Sequence, residues 1–319
     1  MLRSRPRTRE RGSRGRCSRR SERHTVTRLA LPHHYTGKVR DLYEVDHDRM
    51  LVVASDRISV FDVVLPNLVP DKGRALTGLS TFWFERTGDQ WPNHLVSSDP
   101  TDFPETAGPD IAGRAMLVRA SRTVRLECIA RGYLFGSAWK EYEANGTVHG
   151  VKLRAGLRQA ERLDEPIFTA TTKAEAGHDE ALTDAEAAEL VGDDLFERVR
   201  SATLAVYGFG AEHSADCGLI LADTKLEFGT IDDELLIIDE MMTPDSSRYW
   251  SSEDYGVGTS PASFDKQYVR DHYLKLGWDQ QPPAPEVPQS VIDGTRARYV
   301  EAYEILTGES FADWYGVED

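Results

Sequence analysis

Carboxylates and cations interrupt two apolar runs within residues 217–250, CGLILADTKLEFGTIDDELLIIDEMMTPDSSRYW. Leu219–Leu221 and Leu235–Ile238 flank a turn carrying Gly229, Asp232 and Asp233, the pattern of a β-hairpin. Strand alternation puts Asp223, Lys225 and Glu227 on one face and Thr224, Leu226 and Phe228 on the other. The second run ends in Asp239-Glu240 and passes into Thr243-Pro244-Asp245-Ser246-Ser247-Arg248. Charges on adjoining buried strands are unfavourable unless they are paired or bind a metal. Magnesium is usually held by one or two carboxylates plus phosphate oxygens. Glu227 and Asp239 are therefore candidate ligands of a magnesium–triphosphate site, with Lys225 as a point charge on a phosphate. An edge hairpin with a solvated charged face would show the same pattern.

Other candidates lie upstream. Tyr35–Val45 and Met50–Ala54 read as strands around a turn at Asp46–Arg49, with Gly37 opening the first and Lys38 and Arg40 on one face. A glycine-opened hairpin bearing cations could cover nucleotide phosphates, as the Gly-rich loop of kinases does. It is not a P-loop, and a plain exposed basic strand is the alternative. Ser55, Asp56, Arg57 and Ser59 follow the second strand, where binding residues collect or where polar side chains simply cap backbone. Arg131 and Ser137, in ARGYLFGS, read as a glycine turn suited to a phosphate monoester. Lys173 and His178-Asp179-Glu180 belong to residues 145–180, read as mostly loop and as a substrate loop. Consecutive residues such as His178 and Asp179 rarely converge on one metal ion.

The elements that must position these groups follow from periodicity. A short helix is expected over 76–86 with Leu79, Phe82 and Trp83 inward, after loop signals at Pro66, Pro70 and Lys72-Gly73. Residues 87–113 read as surface connection, and Met116–Val118 and Val124–Ile129 as strands, with Arg119–Arg122 between them as a hinge. Thr183 and Glu186 form a capping box before a helix whose Val191, Leu195, Val199, Ala202 and Val206 make one stripe. Phe264–Arg270 reads as a short helix, Pro282–Pro288 as a stiff linker, and Ser290 as the cap of a last helix with Ile292, Tyr299, Ala302 and Leu306 inward.

The totals narrow the class. With 319 residues, 40% of them apolar and 29% charged, the chain can bury a substantial core as an ordinary globular protein. No apolar run approaches the ~20 residues of a membrane span. Cys17, Cys128 and Cys217 are scattered, which fits free thiols in a reducing compartment, the cytoplasm, and no disulfide framework. Residues 1–28 hold 11 Arg against Glu10 and Glu22, so the rest is more acidic than the net charge of −15. Such a body is unsuited to nucleic acid and must bind anionic metabolites through local clusters of cations and metal. Residues 1–28 are expected to be disordered. They lack the apolar face of a transit peptide, and an RNA-binding arm or a roleless extension upstream of the true start remain, the latter preferred.

Taken in order, GKVRDLY, ASDRIS-x-FD, ECIARGYLFGS, TKAEAGHDE, ADTKLEFG, IDE-x-x-TPDSSR and SFDKQ resemble the SAICAR synthetase family of purine biosynthesis. The resemblance runs from about Tyr35 to the final helix. It implies an α+β fold of two lobes with ATP in the cleft, related to kinase and ATP-grasp architecture: an Arg-rich extension over 1–28, an antiparallel-sheet lobe over 29–118, and an ATP- and substrate-binding lobe over 119–319. It also implies a ligase that joins carboxyaminoimidazole ribonucleotide to L-aspartate with ATP and Mg2+. By this resemblance Gly37, Lys38, Arg40 and Lys225 meet the ATP phosphates, Glu227 and Asp239 hold magnesium, and Asp223 lies beside them. Arg131, Ser137 and Arg248 grip the ribonucleotide phosphate, and Lys173, His178 and Asp179 sit on a closing loop. Ser55, Asp56, Arg57 and Ser59 line the aspartate end. Ala181 and Val60 depart from the family pattern, Val60 being expected to tighten the aspartate pocket. The rivals are a kinase-like phosphotransferase acting on a small phosphorylated metabolite, which would lack its HRD and DFG motifs, and a binding module with a dead ATP site. Monomer and homo-oligomer both stay open.

Overall fold

A computed structural model describes residues 29–173, 180–264 and 266–315. The Arg-rich extension, His178 and Asp179 lie outside these described residues. The chain begins with an antiparallel hairpin, β1 (His33–Thr36) and β2 (Arg40–Glu44), whose turn is closed by the Gly37 N–H donating to the Arg40 carbonyl at 2.7 Å. β3 (Arg49–Ala54) pairs with β2, and its Leu51 and Val53 enter one apolar cluster while Val52 enters another, the period-two signature of a strand. A separate hairpin follows, β4 (Arg57–Val60) with β5 (Val63–Leu68). Val60 packs there among Ile58, Val69 and Tyr273 in a closed apolar cluster, so it fills core and does not tighten a pocket.

Helix α1 (Lys72–Thr87) starts four residues before the expected span, and Lys72 and Gly73 form its first turn where loop was read. The cause is tertiary. Asp56 accepts the Gly73 N–H at 3.0 Å from outside the helix, and a Cβ on Gly73 would sit 2.6 Å from the Ala54 carbonyl. Residues 87–113 are a connection, as expected, though they contribute a short strand, β6 (Leu95–Ser97). With β7 (Ala115–Arg119) this completes a five-stranded antiparallel sheet in the order β1-β2-β3-β7-β6.

β8 (Arg122–Tyr133) then leaves for a second sheet, so Arg119–Arg122 is the crossing between sheets. Arg131, read as a turn residue, lies inside β8. After α2 (Gly136–Asn145) and the small hairpin β9 (Thr147–Val148) and β10 (Val151–Lys152) comes β11 (Arg162–Thr172). The supposed loop over 145–180 therefore contains a long strand and a small hairpin among its described residues. Phe168 and Ala170 face the core while hydroxyl-bearing threonines occupy the other face, and that alternation hid a strand. β12 (Ala181–Leu182) pairs with β11. The Thr183 capping box opens α3 (Asp184–Val191) as expected, but Gly192 at φ 92 breaks the helix before α4 (Asp193–Asp216). One apolar stripe thus runs over two helices. The central hairpin, β13 (Leu219–Ile231) with β14 (Glu234–Ile238), forms as read, and β15 (Ser247–Ser251) also pairs with β13. The second sheet is ordered β12-β11-β8-β13-β14. Helices α5 (Gln267–Leu276) and α6 (Gln289–Thr307) close the chain. Pro288, not Ser290, is the N-cap of α6, and Ser290 lies in its first turn.

The main core packs α1, α3, α4 and α6 around the second sheet. Residues 92–94 fasten the sheets together: the His94 N–H donates to the Ile237 carbonyl and the Ile237 N–H to the Pro92 carbonyl, both at 3.0 Å. Asn93 and Ile237 form a parallel bridge, which covers the β14 edge. No described helix is long and apolar enough to cross a membrane.

Candidate functional site

Alternation along β13 sends Leu226 and Phe228 into the core and turns Lys225 and Glu227 to the opposite face. Lys225 Nζ lies 2.7 Å from Glu127 Oε1 and 3.2 Å from Glu227 Oε1. Lys173, just past β11, pairs with the other oxygen of Glu227. Burial alone would discharge Lys225 and Glu227. Glu227 and Glu127 outweigh it and push the Lys225 ammonium above its ordinary range, while Lys225 and Lys173 hold Glu227 below its own.

Arg40 enters the same cleft from β2, with Nη1 3.1 Å from Asp239 Oδ2 and Nη2 2.5 Å from Glu240 Oε2. Burial, opposed by Arg40 but helped by Glu227 and Glu240, raises the Asp239 carboxyl above the ordinary aspartate range. Its neighbours leave it short of positive charge. Four carboxylates (Glu127, Glu227, Asp239, Glu240) here face three cations (Lys173, Lys225, Arg40). No group of three or more His, Cys, Asp or Glu among the described residues is arranged to hold a metal. Magnesium, which needs few protein ligands beside phosphate oxygens, fits Glu227 and Asp239 through this surplus of negative charge. Lys38 is separated from Arg40. It sits in the β1–β2 turn and not in a strand, exposed, 2.5 Å from Asp62 at the tip of the β4–β5 hairpin.

Two ladder positions away the sign of the charge reverses. Asp223 stands opposite Arg131 on β8 and beside Arg248 on β15. Arg248 pairs with Asp223, and Arg131 Nη1 is 3.9 Å from it, its Nε donating to Thr169 Oγ1 at 3.0 Å. Burial, together with Arg248, depresses the Arg131 guanidinium pKa against the pull of Asp223. Two guanidiniums share one carboxylate. The N-terminus of α2 abuts them, since a Cβ on Gly136 would lie 2.9 Å from Arg248 Nη2, and Ser137 is the next residue of that helix. Guanidiniums at a helix N-terminus suit an anion.

The Ser55–Ser59 segment is tied to the chain itself. Ser55 Oγ donates to the Val39 carbonyl at 2.8 Å, and Asp56 caps α1 and accepts from Arg114 at 3.1 Å. Arg57 donates to the Lys38 and Gly37 carbonyls and to Asp41. Ser55 and Arg57 hold the Gly37–Lys38 turn in place, and Ser59 lies half-buried on β4.

Sequence reasoning missed Glu127, Glu240 and a closed cluster at Asp245. Glu127 was within reach, because Leu126, Cys128 and Ala130 point to the core and leave Glu127 with Arg131 on the other face. Asp245 sits 2.7 Å from Lys72 Nζ and 3.1 Å from Lys266 Nζ, and accepts the Tyr299 hydroxyl at 2.6 Å. Its two lysines come from the first residue of α1 and the N-cap of α5, and no local pattern announces them.

A model of the SAICAR synthetase family matches residues 33–285. The phosphoribosylaminoimidazole-succinocarboxamide synthase of Desulfosudis oleivorans is 50% identical over 276 residues, covering 85% of this chain and 94% of that protein. The SAICAR synthase of Saccharomyces cerevisiae, solved in complex with SAICAR, superposes with a TM-score of 0.81 at 43% identity, covering 88% of this chain and 96% of that one. A SAICAR synthetase solved in complex with ADP shares the fold at 23% identity, with a TM-score of 0.65 over 86% of this chain and 98% of that one. An α+β chain of two antiparallel sheets, matched in sequence and shape over most of its length, belongs to the SAICAR synthetase family.

Proposed function

We propose that the chain joins the carboxylate of carboxyaminoimidazole ribonucleotide to the amine of L-aspartate, converting ATP to ADP and phosphate. A carboxylate is a poor electrophile. Its oxygen therefore attacks the γ-phosphorus and ADP leaves. The aspartate nitrogen then attacks the acyl carbon, and phosphate departs with the former carboxylate oxygen. Such transfer depends on positioning and on charges aimed at the phosphoryl oxygens, and needs no side-chain nucleophile.

The supporting observation is the change of sign along β13: a carboxylate-rich cluster around Lys225 beside an arginine-rich one around Asp223. We assign Lys225 and Lys173 to the transferring phosphoryl group, with Glu127 holding Lys225 in place. Glu227 and Asp239 would hold magnesium, which when bound supplies charge neutralisation to the phosphates. Arg40 neutralises Asp239 and Glu240, and the Gly37–Lys38 turn covers the phosphates. Arg131, Arg248 and Ser137 hold the ribonucleotide phosphate, and Asp223 orients the two guanidiniums. The aspartate end is placed at Ser55–Ser59, with Ser59 turned to substrate and Ser55, Asp56 and Arg57 as its wall. His178 and Asp179 are left on the adjoining loop. Arg119–Arg122 divides an N-terminal lobe over 29–118 from the lobe over 119–319. The free thiols Cys128 and Cys217 suit a reducing compartment, and we place the enzyme in the cytoplasm.

The test is ADP release with the ribonucleotide and aspartate supplied singly and together. Continued release, beyond one equivalent per site, should require both. A phosphorylated acceptor that accumulates over many turnovers without aspartate would instead identify a phosphotransferase.

A further inference from the structure

On β11, the face opposite Phe168 and Ala170 carries Ile167, Thr169 and Thr171, and the ladder sets them against Arg131, Ile129 and Glu127 of β8. Directly across from Arg131 is therefore Ile167, an aliphatic side chain with no acceptor to offer. The acceptor lies on the diagonal, which long side chains reach: Thr169 Oγ1 takes the Arg131 Nε hydrogen at 3.0 Å. Thr169 is fully buried, and its own hydroxyl hydrogen points to the Ile129 carbonyl at 3.4 Å, which leaves a lone pair for Arg131. The outer end of the guanidinium is less committed. Its Nη1 stands 3.9 Å from Asp223 Oδ2, beyond hydrogen-bond length, and that oxygen is already paired with Arg248. Among the described residues the Arg131 side chain makes no other hydrogen bond than the one to Thr169.

We propose that Thr169 is a positioning residue for the ribonucleotide phosphate, a neutral hydroxyl that fixes the inner nitrogen of Arg131 and so aims the outer Nη fork at the anion. The inference rests on the reading of Arg131 as a group that holds this phosphate. Arg131 and Arg248 share one carboxylate and repel each other, so Arg131 needs a second restraint to stay beside its neighbour. A carboxylate at position 169 would restrain it but would cancel charge that the phosphate must meet. A hydroxyl restrains the guanidinium and leaves its charge whole. Threonine also suits the task better than a flexible acceptor, because branching at Cβ keeps the hydroxyl in few orientations. An arginine already held in its binding geometry loses less freedom when the phosphate arrives.

The experiment compares Thr169→Val, which keeps the branched shape and loses the hydroxyl, with Thr169→Ser, which keeps the hydroxyl. The KM for each of the three substrates and kcat are measured, and Arg131→Met, alone and combined with Thr169→Val, serves as the reference. Thr169→Val should raise the KM for the ribonucleotide by about tenfold, the scale for losing one hydrogen bond to a charged group. The KM for ATP, the KM for aspartate and kcat should not move, and Thr169→Ser should restore most of the loss. In the Arg131→Met protein the valine substitution should add nothing, since no guanidinium is left to orient. A matching rise for ATP, a fall in kcat alone, full additivity with Arg131→Met, or no rescue by serine would reduce Thr169 to ordinary strand packing. If Arg131→Met raises the ribonucleotide KM and Thr169→Val does not, the positioning role is wrong while the phosphate site stands. If neither variant raises it, the phosphate assignment of Arg131 fails together with the inference. Should Arg131→Met not fold, the split between substrates and the serine rescue decide the outcome by themselves.

Discussion

The clusters around Lys225 and Asp245 are made of the same materials, lysines and carboxylates away from bulk water, yet only one is finished. At Asp245 the side chains are 2% exposed for the aspartate and 0% for Lys72, and the tyrosine hydroxyl completes the set. At Lys225 the lysine is 30% exposed and Asp239 is 28% exposed, and the carboxylates outnumber the cations. A closed, satisfied cluster holds elements together; here it ties α1 and α6 to the loop before β15. An open cluster with residual charge has capacity left for a ligand. Burial of charge therefore does not mark a site, and neither does an excess of one charge, since two lysines share Asp245; what sets the Lys225 cluster apart is a carboxylate surplus that solvent still reaches.

Substitutions should separate the two clusters. Asp245→Ala strands two lysines in the interior and should destabilise the fold by ~3–5 kcal/mol, read as a lower denaturant midpoint. A stable but inactive Asp245→Ala protein would erase the distinction drawn here. Lys225→Met should do the reverse, lowering kcat by ~10²–10³-fold, the scale for losing one group aimed at transition-state charge, with little change in the unfolding midpoint. Arg248→Lys should raise the KM for the ribonucleotide by ~10-fold, since an ammonium cannot reproduce a planar fork, and should leave the KM for ATP alone; a matching rise for ATP would merge the two charge patches into one.

The smallest effect is on pH. Burial would raise the Asp245 carboxyl, but Lys266 and Lys72 hold it far below the ordinary aspartate range. A group depressed in the folded state contributes stability above its unfolded pKa of ~3.9 and loses it as pH falls through the folded value. Lys72 acts in the opposite sense. Burial lowers its ammonium pKa to about 8, so folding opposes its charge below that pH and the penalty is relieved as pH rises toward the unfolded value. The Asp245–Lys72 contribution, read as the difference between the melting profiles of the unmodified protein and of Lys72→Met, should therefore be flat from about pH 5 to 7 and fall below about pH 4. In Lys72→Met the acid loss should shrink, and an unchanged acid limb would remove Lys72 from the account.

The sequence made the open cluster far easier to see than the closed one. Asp223, Lys225 and Glu227 share a face by alternation alone, and the hairpin that carries them forms where its apolar runs and turn residues put it. Glu127 followed from the same rule and needed only the opposite face of a recognised strand. Lys72 was hidden by Pro70 and Gly73, which announce a loop until Asp56 caps the helix from the turn between β3 and β4. β11 was hidden by its threonines, and the depth of Arg131 by Gly132 and Gly136, which follow it. The bridge between residues 92–94 and β14 gave no signal at all, because it joins segments more than a hundred residues apart.

That bridge has a practical consequence. Residues 92–94 and β14 lie on opposite sides of the crossing at 119–122, and each presents to the other an edge already shaped for pairing. If the polypeptide were severed at the crossing and expressed as two fragments, the pieces would carry their own instructions for reassembly. Enzymatic turnover would then report that the two halves had found each other.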